Sequence, residues 1–128
     1  MKKVITIILV VVGVIVLAIG GGIMYITSGL ESGANLAINS VNVAQLEDGS
    51  YTGNYDGGRW SNEVAVTISD HKISQIDVIK PVKFEKAEVT DALISSVIEK
   101  QDTTVDTVSG ATVTSKAYLK SIENALSQ

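Results

Sequence analysis

The hydrophobic pattern of the chain separates an apolar N-terminal run from a mixed remainder. Residues 4–26 read VITIILVVVGVIVLAIGGGIMYI and contain no charged side chain. As an α-helix with a rise of about 1.5 Å per residue, this run would be roughly 34 Å long, which is enough to cross the apolar core of a bilayer. A helix also satisfies its own backbone groups inside lipid. Residues 1–26 are therefore predicted to be a membrane-spanning helix that anchors the chain.

The charges on either side of this helix predict its orientation. Lys2 and Lys3 precede it, and the next charged residue is Glu31, so the positive-inside tendency places the N-terminus in the cytoplasm and the remainder outside the cell membrane. The alternative is a cleaved signal peptide, whose apolar region would be shorter, about 7–15 residues, and would end at a small-x-small site. The triplet SGA at 32–34 has that form but follows a full-length span. We therefore favour a retained, single-pass anchor.

A polar segment without a clear period follows the anchor. Residues 27–46 are rich in Ser, Gly, Asn and Ala, and they predict a linker with a short helical stretch at Leu36 to Val43. The folded domain is then predicted to cover residues 47–128. Its roughly 80 residues provide only a small core, so a bound cofactor would add to its stability.

Two-residue alternation predicts a small antiparallel sheet at the start of this domain. Residues 50–55 are predicted to form the first strand, and residues 63–69 and 73–79 alternate cleanly. The apolar positions of the two alternating runs are Val64, Val66 and Ile68 in one and Ile76 and Val78 in the other. A tight connection joins these runs into a hairpin with one buried face. Pro81 ends the sheet because proline cannot donate to a strand ladder.

Apolar residues at helical spacing predict two helices after the sheet. The first covers Glu85 to Lys100, and the second begins after Thr114. The predicted buried positions are Val89, Ala92, Leu93, Ser96 and Val97 in the first helix and Tyr118, Ile122 and Ala125 in the second. Strands followed by helices around one sheet define an α+β fold. We therefore predict a small antiparallel sheet with two packed helices, preceded by one N-terminal transmembrane helix.

The charge of the chain argues against several kinds of partner. Its 10 basic and 14 acidic residues give a net charge of −4. Without Lys2 and Lys3, the chain has 8 basic and 14 acidic residues, which gives a net charge of −6. We therefore expect no basic patch that could bind nucleic acid. The absence of cysteine excludes disulfides and thiolate metal sites. The single histidine, His71, lies in a polar turn where we expect it to be solvated, so no metal site is predicted.

The segment VDTVSGATVTSKAYL, residues 105–119, carries the candidate chemistry. Gly110 permits backbone angles that other residues resist, and Gly110 and Ala111 would let a planar ligand approach the main chain. Thr114 or Ser115 is the predicted N-cap of the second helix, whose first N–H groups would suit a phosphate. Hydroxyl donors surround this point: Ser109, Thr112, Thr114 and Ser115. Taken alone, the pattern is better explained as ordinary helix capping.

Two motifs in this order resemble the FMN-binding domain family, which includes the covalently flavinylated subunits of sodium-pumping quinone reductases. The family pattern is Asp-x-x-(Ser/Thr)-Gly-Ala-Thr followed by x-Thr-Ser and a helix. It is matched here by Asp106, Ser109, Gly110, Ala111, Thr112, Thr114 and Ser115. The family's opening Asp-Gly-x-Tyr-x-Gly strand is matched by Asp48 to Gly53. The resemblance covers residues 48–126, and by it all seven matched positions of the second motif are candidates for cofactor binding.

The resemblance implies a flavin joined to the protein by a covalent bond. In the family, an exported flavin transferase that uses FAD and a magnesium ion joins FMN through its phosphate to the last Thr of the motif, here Thr112. Asp106 and Ser109 would shape the loop and be read by the transferase, while Gly110 and Ala111 would leave room for it. The chain would then be a membrane-anchored extracytoplasmic electron carrier, rather than a stand-alone enzyme, whose redox donor and acceptor the sequence does not identify.

One part of the family pattern is missing from the chain. Many members carry a His-x-Glu-Thr segment after the second strand of the hairpin, whereas residues 81–86 read PVKFEK here. Phe84 could contact the flavin ring from this segment, but core packing is the favoured interpretation. Trp60 could stack on the ring as well, and packing at the edge of the core is again favoured.

Two other functions are compatible with the same residues. The chain could hold FMN reversibly, as a sensor or scavenger module. It could also be a non-redox surface interaction domain in which the loop is merely a helix cap. The match of both motifs favours the covalent electron carrier over these alternatives.

Overall fold

A computed structural model of the protein describes residues 1–27 and 35–127. Its helices and strands are α1 (Lys2–Thr27), β1 (Gly49–Tyr55), β2 (Asn62–Ser69), β3 (Lys72–Lys80), α2 (Ala87–Lys100) and α3 (Thr112–Leu126), with 3₁₀ turns at Val43–Gln45 and Gly58–Trp60. The three strands form one antiparallel sheet in the order β1-β2-β3. The predicted α+β fold is therefore confirmed.

Helix α1 has the properties of a membrane span. It is apolar from Lys2 to Tyr25, and none of its apolar stretch is buried in the protein. Its length and composition would allow it to cross a membrane, although a signal sequence near an N-terminus shares both properties. Retention of the helix and its orientation therefore stay predictions.

The sheet buries one face, as the alternation predicts, but β3 is less regular than its sequence suggests. Val64, Val66 and Ile68 of β2 are all buried. Ile68 pairs with Ile73 and Thr67 with Gln75, so the ladder skips Ser74. This bulge explains why residues 73 and 76, three apart, are both buried, because the extra residue reverses the alternation between them.

Helix α3 packs across β1 and β2 and supplies much of the core. The approach to β1 is close at Gly53, where an added Cβ would overlap the carbonyl oxygen of Ser121 and the backbone of Ala125. The glycine that ends the Asp48-to-Gly53 motif thus has a packing role, because any side chain there would push α3 away from the sheet.

Helix α2 buries two of the predicted positions, Leu93 and Val97, but not the rest of the predicted stripe. Its buried residues are Thr90, Leu93 and Val97, while Ala92 and Ser96 are exposed, so the prediction for these two was wrong. Positions i, i+3 and i+7 therefore form the buried stripe, with Thr90 rather than Ala92 on the inner face of the helix. The helix also begins at Ala87, two residues after the predicted Glu85.

The described segment before the sheet is irregular rather than helical. Within the described residues 36–42 there is no helix, so the short helical stretch expected at Leu36 to Val43 was wrong. Ile38, Val41 and Val43 pack against the core instead. Asp102 accepts a hydrogen bond from the N–H of Val41 at 3.1 Å. Bonds to distant side chains thus replace the local bonds of a helix.

The single histidine helps to hold this segment. Its Nδ1 lies 2.8 Å from the carbonyl oxygen of Leu46, within hydrogen-bonding distance. His71 is exposed, as expected of a turn residue, but it is not merely solvated. The β2–β3 turn is therefore tied to the end of this segment.

Candidate functional site

The motif loop reaches α3 through a tight turn. The N–H of Ala111 donates to the carbonyl of Val108 at 2.9 Å, which closes a four-residue turn over residues 108–111. Gly110 occupies the third position with φ +79, as a type II turn requires. An added Cβ at Gly110 would meet nothing within 4 Å. The glycine is therefore required by the backbone conformation and not by crowding.

Helix α3 begins directly after this turn. Its N-cap is Ala111, which has no side-chain cap, and its first residue is Thr112. The predicted N-cap at Thr114 or Ser115 was therefore wrong. The first helical bond joins the N–H of Ser115 to the carbonyl of Ala111 at 2.9 Å. Helix geometry thus leaves the N–H groups of residues 112–114 without a carbonyl four residues earlier, and they form the positive end of the helix.

Ser115 stabilises the loop from the interior of the protein. Its side chain is fully buried, and its Oγ accepts a hydrogen bond from the N–H of Val108 at 3.0 Å. The hydroxyl therefore faces the protein interior, where it fixes the start of the turn. Sequence reasoning assigned Ser115 to the cofactor, but the structure gives it a supporting position.

Thr112 is exposed at the first turn of α3. It lines a cleft of about 380 Å³ together with Arg59, Trp60, Gly110, Ala111, Val113 and Thr114. Trp60 is itself buried, with 3% of its surface exposed, so the favoured interpretation of this residue as core is confirmed. The hydroxyl of Thr112 is thus accessible beside a cleft that has one wall of core residues.

A second cleft adjoins the first one. It also measures about 380 Å³ and is lined by Arg59, Phe84, Lys86, Val89, Ser109, Gly110, Ala111 and Thr114. The two clefts share Arg59, Gly110, Ala111 and Thr114. The structure therefore brings five of the seven predicted motif residues together around them: Ser109, Gly110, Ala111, Thr112 and Thr114.

Asp106 lies apart from both clefts. It is exposed and lines a separate depression with Ser96, Glu99, Lys100 and Val105. Three of these residues, Ser96, Glu99 and Lys100, belong to α2, so the motif's first residue lies beside that helix. Among the motif residues, Asp106 and Ser115 are thus the two that line neither cleft.

Phe84 is the largest departure from the sequence-based expectation. Its side chain is 71% exposed and its backbone has φ +58, so the favoured prediction of core packing was wrong. Val82 takes the core position instead, with 3% of its surface exposed. The N–H of Val82 donates to the hydroxyl of Tyr118 at 3.1 Å. Because Val82 points inwards, the segment turns and presents Phe84 to the cleft.

Tyr118 links this segment to α3. Burial raises the pKa of the Tyr118 hydroxyl, and the bond from Val82 acts in the opposite direction. The hydroxyl thus stays protonated at neutral pH and accepts the N–H of Val82 with an oxygen lone pair. A buried hydrogen bond therefore sets the position of the segment that carries Phe84.

Arg59 stands between two aromatic rings at the junction of the clefts. Its guanidinium carbon lies 4.0 Å from the ring centre of Trp60 and 5.6 Å from that of Phe84. The carbonyl of Arg59 accepts a bond from the N–H of Lys83 at 2.9 Å, which joins the 58–60 turn to the segment before α2. No sequence pattern assigned Arg59 or Lys86 to the site.

Positive charge collects at this site although the domain is acidic. Arg59 and Lys86 both line the second cleft, whereas the chain after Lys3 carries a net charge of −6. Together with the first N–H groups of α3, these side chains suit an anionic ligand. An accessible hydroxyl, a glycine turn, a helix N-terminus and an exposed aromatic side chain fit a phosphate-bearing flavin.

The sequence profile of the FMN-binding domain family matches residues 58–127, more than half of the chain. The chain therefore belongs to the FMN-binding domain family, and the resemblance seen in the sequence is confirmed. Membership supports a flavin-binding role. The match includes the motif loop and Arg59 but begins after the strand with the Asp48-to-Gly53 motif. No curated protein matches the chain.

Proposed function

We propose that the protein is a membrane-anchored extracytoplasmic flavoprotein that carries electrons through FMN attached by a phosphoester to Thr112. The observation that carries the proposal is the position of Thr112. It is exposed, it is the first residue of α3, and it follows the Gly110 turn directly. A family member with this arrangement offers its hydroxyl where the helix end favours a phosphate.

The attachment would form in one transfer step. A flavin transferase with FAD and a magnesium ion would join the hydroxyl oxygen of Thr112 to the phosphorus of the FMN half of FAD. The pyrophosphate bond would break, AMP would leave, and the hydroxyl proton would be released. The resulting phosphodiester keeps one negative charge, which the unpaired N–H groups at the start of α3 would stabilise.

The surrounding residues have distinct parts in this proposal. Gly110 forms the turn and, because it has no side chain, leaves space in the clefts. Ala111, with a single methyl group, also leaves this space open. Ser109 and Asp106 are both exposed, where a transferase would read them. Thr114 lines both clefts and offers a hydroxyl to the bound cofactor, while Ser115 holds the loop from the interior.

The redox chemistry would belong to the cofactor. FMN accepts and releases electrons, and the protein contributes position and electrostatic environment. An electron donor and an electron acceptor are therefore the expected partners besides the transferase. The chain itself acts as a carrier rather than as an enzyme with its own substrate.

The anchor would keep the flavin near a membrane donor or acceptor. Residues 1–26 would span the membrane with Lys2 and Lys3 in the cytoplasm, residues 27–46 would connect, and residues 47–128 would form the outer domain. Ile38 and Val41, which belong to the connecting residues, pack against the core of the outer domain. A short tether raises the local concentration of the flavin at the membrane surface.

The attachment is tested by co-expressing the full chain with a flavin transferase. We expect a fluorescent band under ultraviolet light that survives denaturing electrophoresis, and an intact mass that includes one FMN adduct. Thr112→Ala should lose both signals, whereas Thr107→Ala, in the same loop, should keep them. An adduct that persists in Thr112→Ala would contradict the assignment of the attachment site.

Two results would favour the other functions. Flavin that copurifies but is lost on denaturation, with no mass increase, would indicate a reversible FMN-binding module. Absence of flavin from both the native and the denatured chain would favour an interaction domain. Reduction of the bound flavin by dithionite and its reoxidation by ferricyanide would support the carrier role.

The anchor is tested separately. The full chain should remain in the membrane pellet after alkaline carbonate extraction, and protease added outside intact cells should reach the C-terminal domain. A chain recovered in soluble form with a new N-terminus near residue 34 would show that the apolar helix is a cleaved signal peptide.

A further inference from the structure

The exposed side chain of Phe84, beside Arg59, is a feature that packing of the core does not explain. Phe84 is 71% exposed, and its φ of +58 lies in the left-handed region, which is strained for a non-glycine residue. We propose that Phe84 and Arg59 form the seat of the flavin ring and that the charge of Arg59 favours the reduced flavin. This inference rests on the proposed attachment of FMN to Thr112.

The two clefts connect the attachment point to this seat. Thr112 lines the first cleft and Phe84 the second, and both clefts have Arg59, Gly110 and Ala111 in their walls. Gly110 has no side chain and Ala111 has a single methyl group, so the passage between the clefts is open. A ligand attached at Thr112 that follows this surface therefore meets Arg59 and then Phe84.

The position of the seat is fixed by the backbone. The N–H of Val82 bonds to Tyr118, and the N–H of Lys83 bonds to the carbonyl of Arg59. Phe84 thus follows two anchored residues, and its exposure is built into the fold. An aromatic face held in this way is suited to an offset stack with a planar ring system.

The orientation of Arg59 is constrained by the ring of Trp60. The guanidinium lies over the ring of the buried Trp60 at 4.0 Å. Contact with an aromatic face attracts a cation through the charge distribution of the ring, and more strongly when water is excluded. The charge is therefore held at the junction of the clefts, where Lys86 adds a second positive side chain.

The expected chemical consequence follows from charge balance. A flavin that takes two electrons from a reductant and one proton at a ring nitrogen gains one negative charge. A cation beside the ring stabilises that charged form relative to the neutral oxidised ring, and so raises the midpoint potential. Arg59 is thus a positioning and tuning residue, and no bond to the flavin is formed or broken by it.

The test uses the full chain after co-expression with the transferase, in detergent. The variants are Arg59→Gln, Arg59→Lys and Phe84→Ala, and Lys72→Gln is the charge-matched control at the opposite end of the sheet. Intact mass gives the FMN content. Quenching of flavin fluorescence by acrylamide, which is neutral, gives ring exposure, and titration with dithionite gives the midpoint potential.

We expect attached FMN in all four variants, because none of them changes the motif loop, and only Lys72→Gln, which lies outside the clefts, should match the unmodified chain in FMN content. Arg59→Gln should lower the midpoint potential, and a tenfold loss of preference for the reduced form corresponds to about 30 mV for two electrons. Arg59→Lys should lower the midpoint potential by less than Arg59→Gln does. Phe84→Ala should raise acrylamide quenching, and Lys72→Gln should match the unmodified chain in both measurements.

Different outcomes overturn different claims. A full adduct with unchanged potential in Arg59→Gln and unchanged quenching in Phe84→Ala would overturn the seat and leave the attachment to Thr112 intact. Equal shifts in Arg59→Gln and Lys72→Gln would show a general effect of charge and would also overturn the role of Arg59. A chain without any adduct would contradict the proposed function and this inference with it.

Discussion

The buried hydroxyl of Ser115 accepts a hydrogen bond from the backbone N–H of Val108 at 3.0 Å. This bond joins the first turn of α3 to the residue that opens the motif turn. Because the turn closes between Val108 and Ala111, the two ends of the loop are held at fixed positions. The bond therefore determines where the hydroxyl of Thr112 emerges at the surface.

Loss of this bond should weaken the domain and its modification together. Ser115→Ala removes the acceptor of a partly buried N–H, which costs about 1–3 kcal/mol of the free energy of unfolding. Urea unfolding of the full chain in detergent, followed by fluorescence of the single, buried Trp60, measures the change. FMN incorporation should fall in parallel. Ser95→Ala, at an exposed position of α2, should alter neither quantity.

Gly53 should tolerate no side chain. Gly53→Ala places a methyl group into the backbone of α3 at Ser121 and Ala125, and overpacking of this kind costs about 1–3 kcal/mol or more. The same urea titration should show an earlier midpoint. Ser50→Ala, exposed on the same strand, is the control. Equal stability of Gly53→Ala and the unmodified chain would mean that α3 lies further from β1.

Gly110 should be sensitive for a different reason. No atom lies within 4 Å of an added Cβ, but φ is +79, so Gly110→Ala should cost about 1–2 kcal/mol through backbone strain. Gly110→Asn should cost less, because asparagine adopts left-handed angles more readily than alanine. Urea unfolding and FMN mass together check this order. Equal losses of stability in Gly110→Ala and Gly110→Asn would indicate that the added side chain is crowded and not that the backbone is strained.

Asp102 should make the domain sensitive to acid. Burial raises the pKa of its carboxyl, but bonds from the N–H of Val41 and from Ser40, Thr104 and Thr103 outweigh burial and lower the pKa to about 2. Because the folded pKa is depressed, the stabilisation is present above the ordinary value of 3.8 and is lost as the pH falls through about 2. Solvent screening limits its size to about 1 kcal/mol.

The dependence on pH separates this effect from general acid unfolding. Asp102→Asn should lower stability at pH 7 and flatten the loss of stability between about pH 4 and pH 2. Asp91→Asn, which changes an exposed carboxylate on α2, should leave the profile unchanged. An Asp102→Asn profile parallel to that of the unmodified chain would show that other carboxylates dominate acid unfolding.

Parts of the site were predictable because their signals are local. The glycine turn and the start of a helix follow from residues 109–112 and their immediate neighbours, and the family motif adds Thr112 as the proposed attachment point. The N-cap was misplaced by three residues or more, because threonine and serine at 114 and 115 are good capping residues. Burial of Ser115 and its bond to Val108 depend on the packed core, which no local pattern describes.

The composition of the clefts was not predictable from local sequence. Arg59, Phe84 and the motif loop are far apart in the chain and meet only because the 58–60 turn, the segment after β3 and α3 pack together. Phe84 was expected in the core because it is apolar. The structure places Val82 there instead, since its N–H reaches Tyr118 while Phe84 continues past the core.

By itself the sequence determined the apolar N-terminal helix, the alternating strands of the hairpin and the motif that identifies the family, because each is encoded in neighbouring residues. Only the tertiary structure decided that residues 36–42 are not helical, that α2 buries Thr90, and that Arg59 and Phe84 lie beside the loop. These features depend on partners distant in the chain. Their free energies come from burial and hydrogen bonds that exist only once the core has formed.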